Sequence, residues 1–373
     1  MEGGKLIYGG LSSCVFRPNI PCKNEPISTK KITKVVFHPQ KTKDMVQREL
    51  MMIQYIQKVD MYQKWAIIYE INCKAPTKNE MSTFDPEGVH DCFSNVSNRA
   101  NLYGNIDNYS QMMSGLYGGL SLDAYFLEQV SPMKDFPDKF LDIMKKMKSL
   151  FRGLVEMKKN KIIHNDIKPL NLVLHNGSFK YIDFGLSAKS NDYRFFKTRC
   201  LNEYNSNRIY FHYPLDYLMF YLTNKNLDKE YSKIVKHTNK KNITRPYKTS
   251  VDTYQILTVG DHYIDQFLNI RKDINNGSLS EKQMIEGIDV YGLGMCVPYM
   301  MEMAFGEYKT FDHILSIPVV KDFMLLFSKM INPYNNDRLS AEESKDRFLK
   351  LLKKYTKNKE SKRQKTKKKK SRN

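Results

Sequence analysis

Residues 162–171 read Ile-Ile-His-Asn-Asp-Ile-Lys-Pro-Leu-Asn, and residues 181–185 read Tyr-Ile-Asp-Phe-Gly. His164, Asp166, Lys168 and Asn171 crowd one loop between a helix and a short strand, and Asp183 stands just past a second strand, two residues before a glycine. Asn176-Gly177 is a tight-hairpin signal, so the strands 172–174 and 179–182 can pair. That pairing brings Asn171 and Asp183 near one another, with Asp166 at the same edge. An amide oxygen and a carboxylate are hard donors suited to Mg²⁺. A further carboxylate beside them suits a proton acceptor. Mg²⁺ bound through so few protein oxygens completes its shell with phosphate, so a nucleotide is implied.

These groups need a scaffold. Ahead of the loop, Phe140, Ile143, Met144, Met147, Phe151, Leu154 and Val155 line one side of an expected helix over 139–160. The alternating stretch 31–37 and the apolar run 65–69 read as strands, and Met45, Val46, Leu50, Ile53 and Ile56 set a helix over 43–58. Residues 74–112 are polar and rich in Asn, Ser and Asp, and read as a long loop or insertion. Helices are expected again at 289–305, 321–331 and 341–353. With β-rich sequence first and α-rich sequence second, the fold class is α+β with two unlike lobes.

The chain has 373 residues and a net charge of +20. The excess is concentrated at 353–373, which holds twelve Lys/Arg and one acid, Glu360. Such a run is expected to be disordered, and it suits nucleic acid, acidic proteins or an anionic membrane surface. A mean hydropathy of −0.56 and the lack of a long apolar run argue against a membrane span. The first residues do not read as a secretory signal. The six cysteines, Cys14, Cys22, Cys73, Cys92, Cys200 and Cys296, have no CxxC spacing. They are expected to form neither a disulfide framework nor a zinc site, and the default setting is reducing and intracellular. In that setting the Asn95-Val96-Ser97 sequon is a chance match.

The pattern HxDxKxxN followed by DFG resembles the protein kinases. The resemblance covers residues 8 to about 350 and implies a two-lobed fold: a β-rich N-lobe over 1–119 with the insertion at 74–112, and a mostly helical C-lobe over 120–352. It also implies a role for each matching residue. Asp166 would accept or orient the substrate hydroxyl proton, and Lys168 would hold the γ-phosphate of ATP. Asn171 and Asp183 would bind Mg²⁺, with Mn²⁺ as a substitute. Lys168, two residues after Asp166, is typical of Ser/Thr kinases. His164 alone reads as a base; the resemblance makes it structural. Lys34 on a strand and Glu49 on the next helix would pair to orient the α- and β-phosphates, with Lys30 and Lys31 as rivals to Lys34. Ile53 would pack toward Phe184.

The phosphate-covering loop departs from the GxGxxGxV pattern. Tyr8, Gly10 and Ser13 stand at its three glycine positions, and Val15 at its valine. Ser13 still lets backbone N–H groups approach phosphate, less freely than glycine. Val15 and Val173 would sandwich adenine, and Tyr117-Gly118-Gly119 resembles the hinge that binds it. Asp289 would hold the backbone of the catalytic loop. Tyr213-Pro214-Leu215-Asp216 resembles the end of the activation segment, with Asp216 paired to Arg338.

Asn165 replaces the arginine that usually receives an activation-loop phosphate, which implies activity independent of such phosphorylation. Residues 217–285 form a second insertion, with helical patches at 217–222 and 254–270. The opening segment Gly-x-Ser-Ser-Cys-Val-Phe-Arg-Pro-x-Ile-Pro-Cys, with Ile-Thr-Lys-Val-Val and Tyr-Gly-Gly, resembles Ser/Thr kinases encoded by large nucleocytoplasmic DNA viruses. That resemblance implies host cytoplasm and virion as locations, and acidic or viral structural proteins as substrates. The expected function is Ser/Thr phosphorylation with MgATP; the alternative is a pseudokinase scaffold that binds partners without transfer.

Overall fold

The computed structural model describes residues 4–9, 13–22, 25–37, 43–94, 110–130, 135–205, 212–214, 216–217, 263–305, 311–332 and 334–370. The fold is α+β and two-lobed. One unit comprises Met1–Gly119 with Ile182–Leu186, and the other Leu120–Tyr181 with Ser187–Asn373.

The first unit is built on an antiparallel sheet in the order β1-β2-β3-β5-β4. Its strands are β1 (Lys5–Gly9), β2 (Ser13–Arg17), β3 (Lys31–Phe37), β4 (Tyr69–Lys74) and β5 (Ser110–Leu116). Side chains alternate between the faces of a strand. Cys14, Phe16, Val35 and Met112 therefore join one buried cluster with Met81, Val89 and Cys92. Val15 lies on the other face, directly opposite Lys34. Helix α1 (Lys43–Gln57) carries Glu49, Met52, Ile53 and Ile56 at helical spacing, all buried.

Three sequence expectations fail in this unit. The apolar run 65–69 is buried at Trp65, Ala66 and Ile68, but the strand begins only at Tyr69. A short 3-10 turn over Tyr62–Lys64 leads into the run, and Trp65 packs edge-on to Phe184, 6.5 Å between ring centroids.

The expected loop at 74–112 holds α2 (Lys78–Ser82) and α3 (Pro86–Ser94), and its last residues belong to β5. Thr77 and Glu80 form a reciprocal capping box at the start of α2. Asp85 accepts the Gly88 N–H at the start of α3 and, with its other oxygen, the Leu6 N–H of β1. The sparse apolar residues Met81, Val89 and Cys92 suffice because all three are buried against the sheet.

The cysteine reading also needs correction. Cys14–Cys92 and Cys22–Cys73 are disulfides, closing separations of 78 and 51 residues, while Cys200 and Cys296 are buried free thiols. Spacing along the chain cannot reveal such pairs, because the sheet and α3 bring them together.

In the second unit, α4 (Leu122–Val130), α5 (Phe136–Lys146) and α6 (Lys148–Lys159) precede the β6 (Ile162–Ile163) turn. The single expected helix over 139–160 is thus two, joined at Met147. The Met147 N–H reaches the carbonyls of both Ile143 and Met144, a tightened turn that keeps the apolar face continuous. Strands β7 (Leu172–His175) and β8 (Ser178–Tyr181) pair through Asn176-Gly177. Both turn residues have positive φ, 49° and 76°, which that dipeptide tolerates. After β9 (Ala188–Lys189), which pairs with β6, come α7 (Tyr193–Asn205), α8 (Tyr263–Asn275) and α9 (Glu281–Glu286). Of the helical patches expected in 217–285, 218–222 and 254–262 lie outside the described residues.

The core helix is α10 (Ile288–Phe305), buried on nearly every side. It is followed by α11 (Phe311–Ser316), α12 (Pro318–Met330) and α13 (Ala341–Lys370). Phe348 of α13 stacks on Phe151 of α6 at 3.8 Å. Helix α13 runs on through most of the basic stretch expected to be disordered. It starts from a Ser340–Glu343 cap, and lysine is itself a good helix former.

Candidate active site

Each unit carries its own constellation. In the first, β3 aims Lys34 at α1, where its Nζ lies 2.9 Å from Glu49 Oε1. The same ammonium lies 2.9 Å from Asp183 Oδ1. Burial by itself disfavours the charged Lys34, but Asp183 and Glu49 outweigh it and hold the pKa well above the ordinary lysine value. Burial pushes Glu49 up, against the pull of Lys34. Asp183 sits in the left-handed region at φ 61°. Gly185 lies tight against the pair: a Cβ there would come within 3.1 Å of Glu49 Oε2 and 3.3 Å of Asp183 Oδ1. Phe184 is buried, and its turn packs on α1, the helix that carries Ile53.

Among the expected phosphate and adenine contacts in this unit, Ser13 is buried on β2 and Val15 is half-buried. Gly10 lies outside the described residues. Tyr117 follows β5, and its N–H donates to the Lys30 carbonyl at 2.9 Å. It can therefore offer a purine its carbonyl but not its amide. The Arg17 guanidinium covers the Tyr117 ring at 3.7 Å.

In the second unit, Asp289 at the start of α10 accepts the N–H groups of His164, at 2.6 Å, and Asn165, at 2.9 Å. Burial pushes the Asp289 carboxyl up, and these hydrogen bonds oppose it. Gly292 lets α10 approach the loop, since a Cβ there would meet the Ile167 carbonyl at 2.9 Å. Asn165 adopts φ 62°, a conformation that asparagine visits far more readily than most residues, arginine included. Its carbonyl accepts from the Tyr213 hydroxyl at 2.9 Å. His164 Nδ1 accepts the Asp166 N–H at 3.3 Å and its carbonyl accepts from Ser187, so it serves the loop's shape.

Asp166 is buried and surrounded by donors. Lys168 Nζ lies 3.2 Å from Oδ1 and 3.0 Å from Oδ2. Asn171 Nδ2 lies 2.8 Å from Oδ2. His212 Nε2 lies 3.1 Å from Oδ1. Burial alone would raise the Asp166 pKa, but His212 and Lys168 hold it well below the carboxylate range. With its nitrogen spent on Asp166, Asn171 presents Oδ1 as a hard donor. Such an oxygen is of the kind that Mg²⁺ or Mn²⁺, held largely by phosphate, takes as a ligand, and the Asp183 carboxylate of the first unit is of the same kind. Among the described residues no group of three or more His, Cys, Asp or Glu side chains forms a protein-only metal cage. Val173 is buried on β7 and bridges to Ser121. The expected pair of Asp216 and Arg338 is also formed, at 3.0 Å.

Sequence reading missed His212. Residue 212 lies far along the chain from 166, and a histidine preceding Tyr213-Pro214 carries no spacing signal toward the loop.

The protein kinase domain model matches residues 7–210, more than half of the chain. A stretch of 120 residues is 32% identical to mitogen-activated protein kinase kinase kinase 8 of Rattus norvegicus, covering 31% of this chain and 24% of that protein. Another of 74 residues is 38% identical to MAP kinase kinase MKK1/SSP32 of Saccharomyces cerevisiae, covering 20% of this chain and 14% of that protein. The similarity thus spans less than a quarter of each of these relatives.

Proposed function

This chain belongs to the protein kinase domain family, and from that premise we propose that it transfers the γ-phosphate of ATP to serine or threonine hydroxyls of proteins. The observation that carries the proposal is Asp166: a buried carboxylate held ionised beside Lys168 and Asn171. An ionised carboxylate can orient and then accept a hydroxyl proton as phosphate arrives. Lys168 would leave Asp166 to hold the γ-phosphate. Lys34, oriented by Glu49, would hold the α- and β-phosphates. Asn171 and Asp183 would hold Mg²⁺ or Mn²⁺, which supplies charge neutralisation on the phosphates. Backbone N–H groups near Gly10 and Ser13 would cover the phosphates, and Val15 and Val173 would flank adenine. Catalysis of this kind is positioning and electrostatics, with little covalent work for the protein.

The test is transfer of labelled γ-phosphate from MgATP to casein and myelin basic protein, with phosphoamino-acid analysis. Phosphoserine or phosphothreonine that disappears in Asp166→Asn and Lys34→Met supports the reading. No transfer, and no nucleotide-dependent shift in melting, would instead identify a pseudokinase scaffold.

We also propose that activity does not depend on activation-loop phosphorylation, because Asn165 offers no guanidinium to a phosphate. Phosphatase-treated enzyme should keep its rate; loss that returns on rephosphorylation overturns this. Acidic or viral structural proteins as substrates, an origin in a large nucleocytoplasmic DNA virus, and host cytoplasm and virion as locations are proposed on sequence resemblance. The two cystines add a condition, that the chain meets an oxidant there. Nucleic acid or acidic protein is the proposed partner of the basic tail.

A further inference from the structure

We infer that His212 is a positioning residue for phosphoryl transfer, its Nε2, 3.1 Å from Oδ1 of Asp166, closing on that oxygen as a donor in the catalytic complex so that Oδ2 meets the substrate hydroxyl. The inference rests on the kinase reading and adds a group that the catalytic-loop motif does not contain.

A carboxylate has about four lone-pair sites for donors. In Asp166 Lys168 takes one on each oxygen and Asn171 a second on Oδ2, at 2.8–3.2 Å, while His212 Nε2 stands 3.1 Å from Oδ1. Enclosed in this way, the carboxylate cannot accept a substrate proton until a neighbour withdraws. Lys168 is the donor that withdraws, since the transferred phosphate is its other partner. Its side chain is 29% exposed and long enough to turn. His212 is the donor that stays. It is 1% exposed, and its ring packs on Tyr213, 4.5 Å between centroids. The segment is pinned on either side of that contact. The Tyr213 hydroxyl donates to the carbonyl of Asn165, next to Asp166, and Asp216 is gripped by Arg338. With Lys168 gone, His212 keeps Oδ1 and Asn171 keeps one lone pair of Oδ2, which leaves the other lone pair of Oδ2 open to the substrate hydroxyl.

The charge state suits this work. The groups facing His212 are Asp166, Lys168 and Arg199. Burial lowers its pKa, Lys168 and Arg199 add to that, and Asp166 opposes them. Burial and the cationic neighbours thus disfavour a charged imidazole at this place, and the contact with a carboxylate favours the tautomer with its proton on Nε2.

The test compares His212→Ala and His212→Gln in the full chain, assaying phosphate transfer to casein at saturating MgATP. A glutamine amide can replace the Nε2–H donor. The Ala variant should lose about 10- to 100-fold in kcat, less than the roughly 100- to 1,000-fold for a donor that meets the transition state itself, because His212 acts through Asp166. KM for ATP should stay within about twofold, because ground-state binding is untouched. The Gln variant should recover most of the rate. Equal kcat in wild type and Ala, or equal losses in Ala and Gln with a raised KM, overturns the inference.

A second readout needs no activity. In the ¹⁵N-histidine-labelled chain, the His212 signal is the one that vanishes in His212→Gln. It should show a protonated Nε2 and shift in Asp166→Asn. A His212 signal blind to Asp166→Asn overturns the pairing. Wild type that transfers no phosphate while this coupling is present overturns the transfer reading and upholds the pairing.

Discussion

Arg338 grips Asp216 with two hydrogen bonds, at 3.0 and 3.3 Å, and both side chains are buried. Asn335 adds a third donor to the same carboxylate at 2.8 Å. Breaking a buried pair by removing one partner leaves the other charge uncompensated, at a cost of about 3–5 kcal/mol. Arg338→Ala should therefore lower the melting temperature by many degrees. Arg338→Lys should recover only part of the loss, because one ammonium cannot reproduce the two-pronged contact. Calorimetry of the two variants checks this; an unchanged melting temperature in Arg338→Ala would show that the pair contributes nothing to stability.

The pairings of Lys34 with Glu49 and of Asp216 with Arg338 could be read in the sequence because each partner sits in a recognisable local pattern. The β7–β8 hairpin was legible for a similar reason: Asn176-Gly177 names its own turn. What escaped depends on proximity that only the fold creates. Cys14 and Cys92 are 78 residues apart, and their meeting needs both the sheet and helix α3. Helix α3 itself escaped because its few apolar residues are scattered among polar ones. His212 reaches Asp166 across an intervening stretch that includes all of α7. Trp65, Ala66 and Ile68 misled because an apolar run reports burial, and burial does not require a strand.

Lys34 stands between two carboxylates, so Lys34→Met changes more than one contact. It removes the cation proposed to meet the phosphates, and it leaves Glu49 buried without its counter-charge. Glu49, already pushed up by burial, should then take up a proton. Transfer should fall by at least about 100-fold, the usual scale for losing one preorganised charge-stabilising group. Glu49→Gln should fall less, because Lys34 keeps Asp183. The double variant should be little worse than Lys34→Met alone, since the two residues act as a unit. Additive losses in kcat/KM would show that they act separately.

The two cystines make a prediction about both chemistry and stability. In denaturant without reductant, an alkylating reagent should modify Cys200 and Cys296 only; after reduction it should modify all six cysteines. Closing loops of 78 and 51 residues removes unfolded-state entropy worth about 4 kcal/mol each in the chain-entropy picture. The native chain should melt well below its oxidised temperature in reductant. Cys22→Ser with Cys73→Ser should reproduce part of that drop without reductant. Six modified cysteines before reduction would rule the cystines out.

The basic tail can be tested only if the cut spares the fold. Lys354 bonds Asp322 at 2.6 Å, and the Tyr355 hydroxyl lies 2.8 Å from the Pro318 carbonyl and 2.7 Å from Asp322, with its one proton to share between them. Cutting at 353 would remove these contacts between α13 and α12 and confuse a binding defect with a folding one. A truncation after Lys357 keeps them and still removes nine Lys/Arg and one Glu. The truncated chain should melt like the full chain and keep its transfer rate on a short peptide. Its affinity for duplex DNA should lose salt dependence, since each neutralised phosphate contributes about −0.9 to the slope of log K against log salt. A slope that is the same with and without residues 358–373 would rule out DNA contact through the tail. A slope lost on DNA together with a raised KM for casein would show a general anion-binding segment serving both partners.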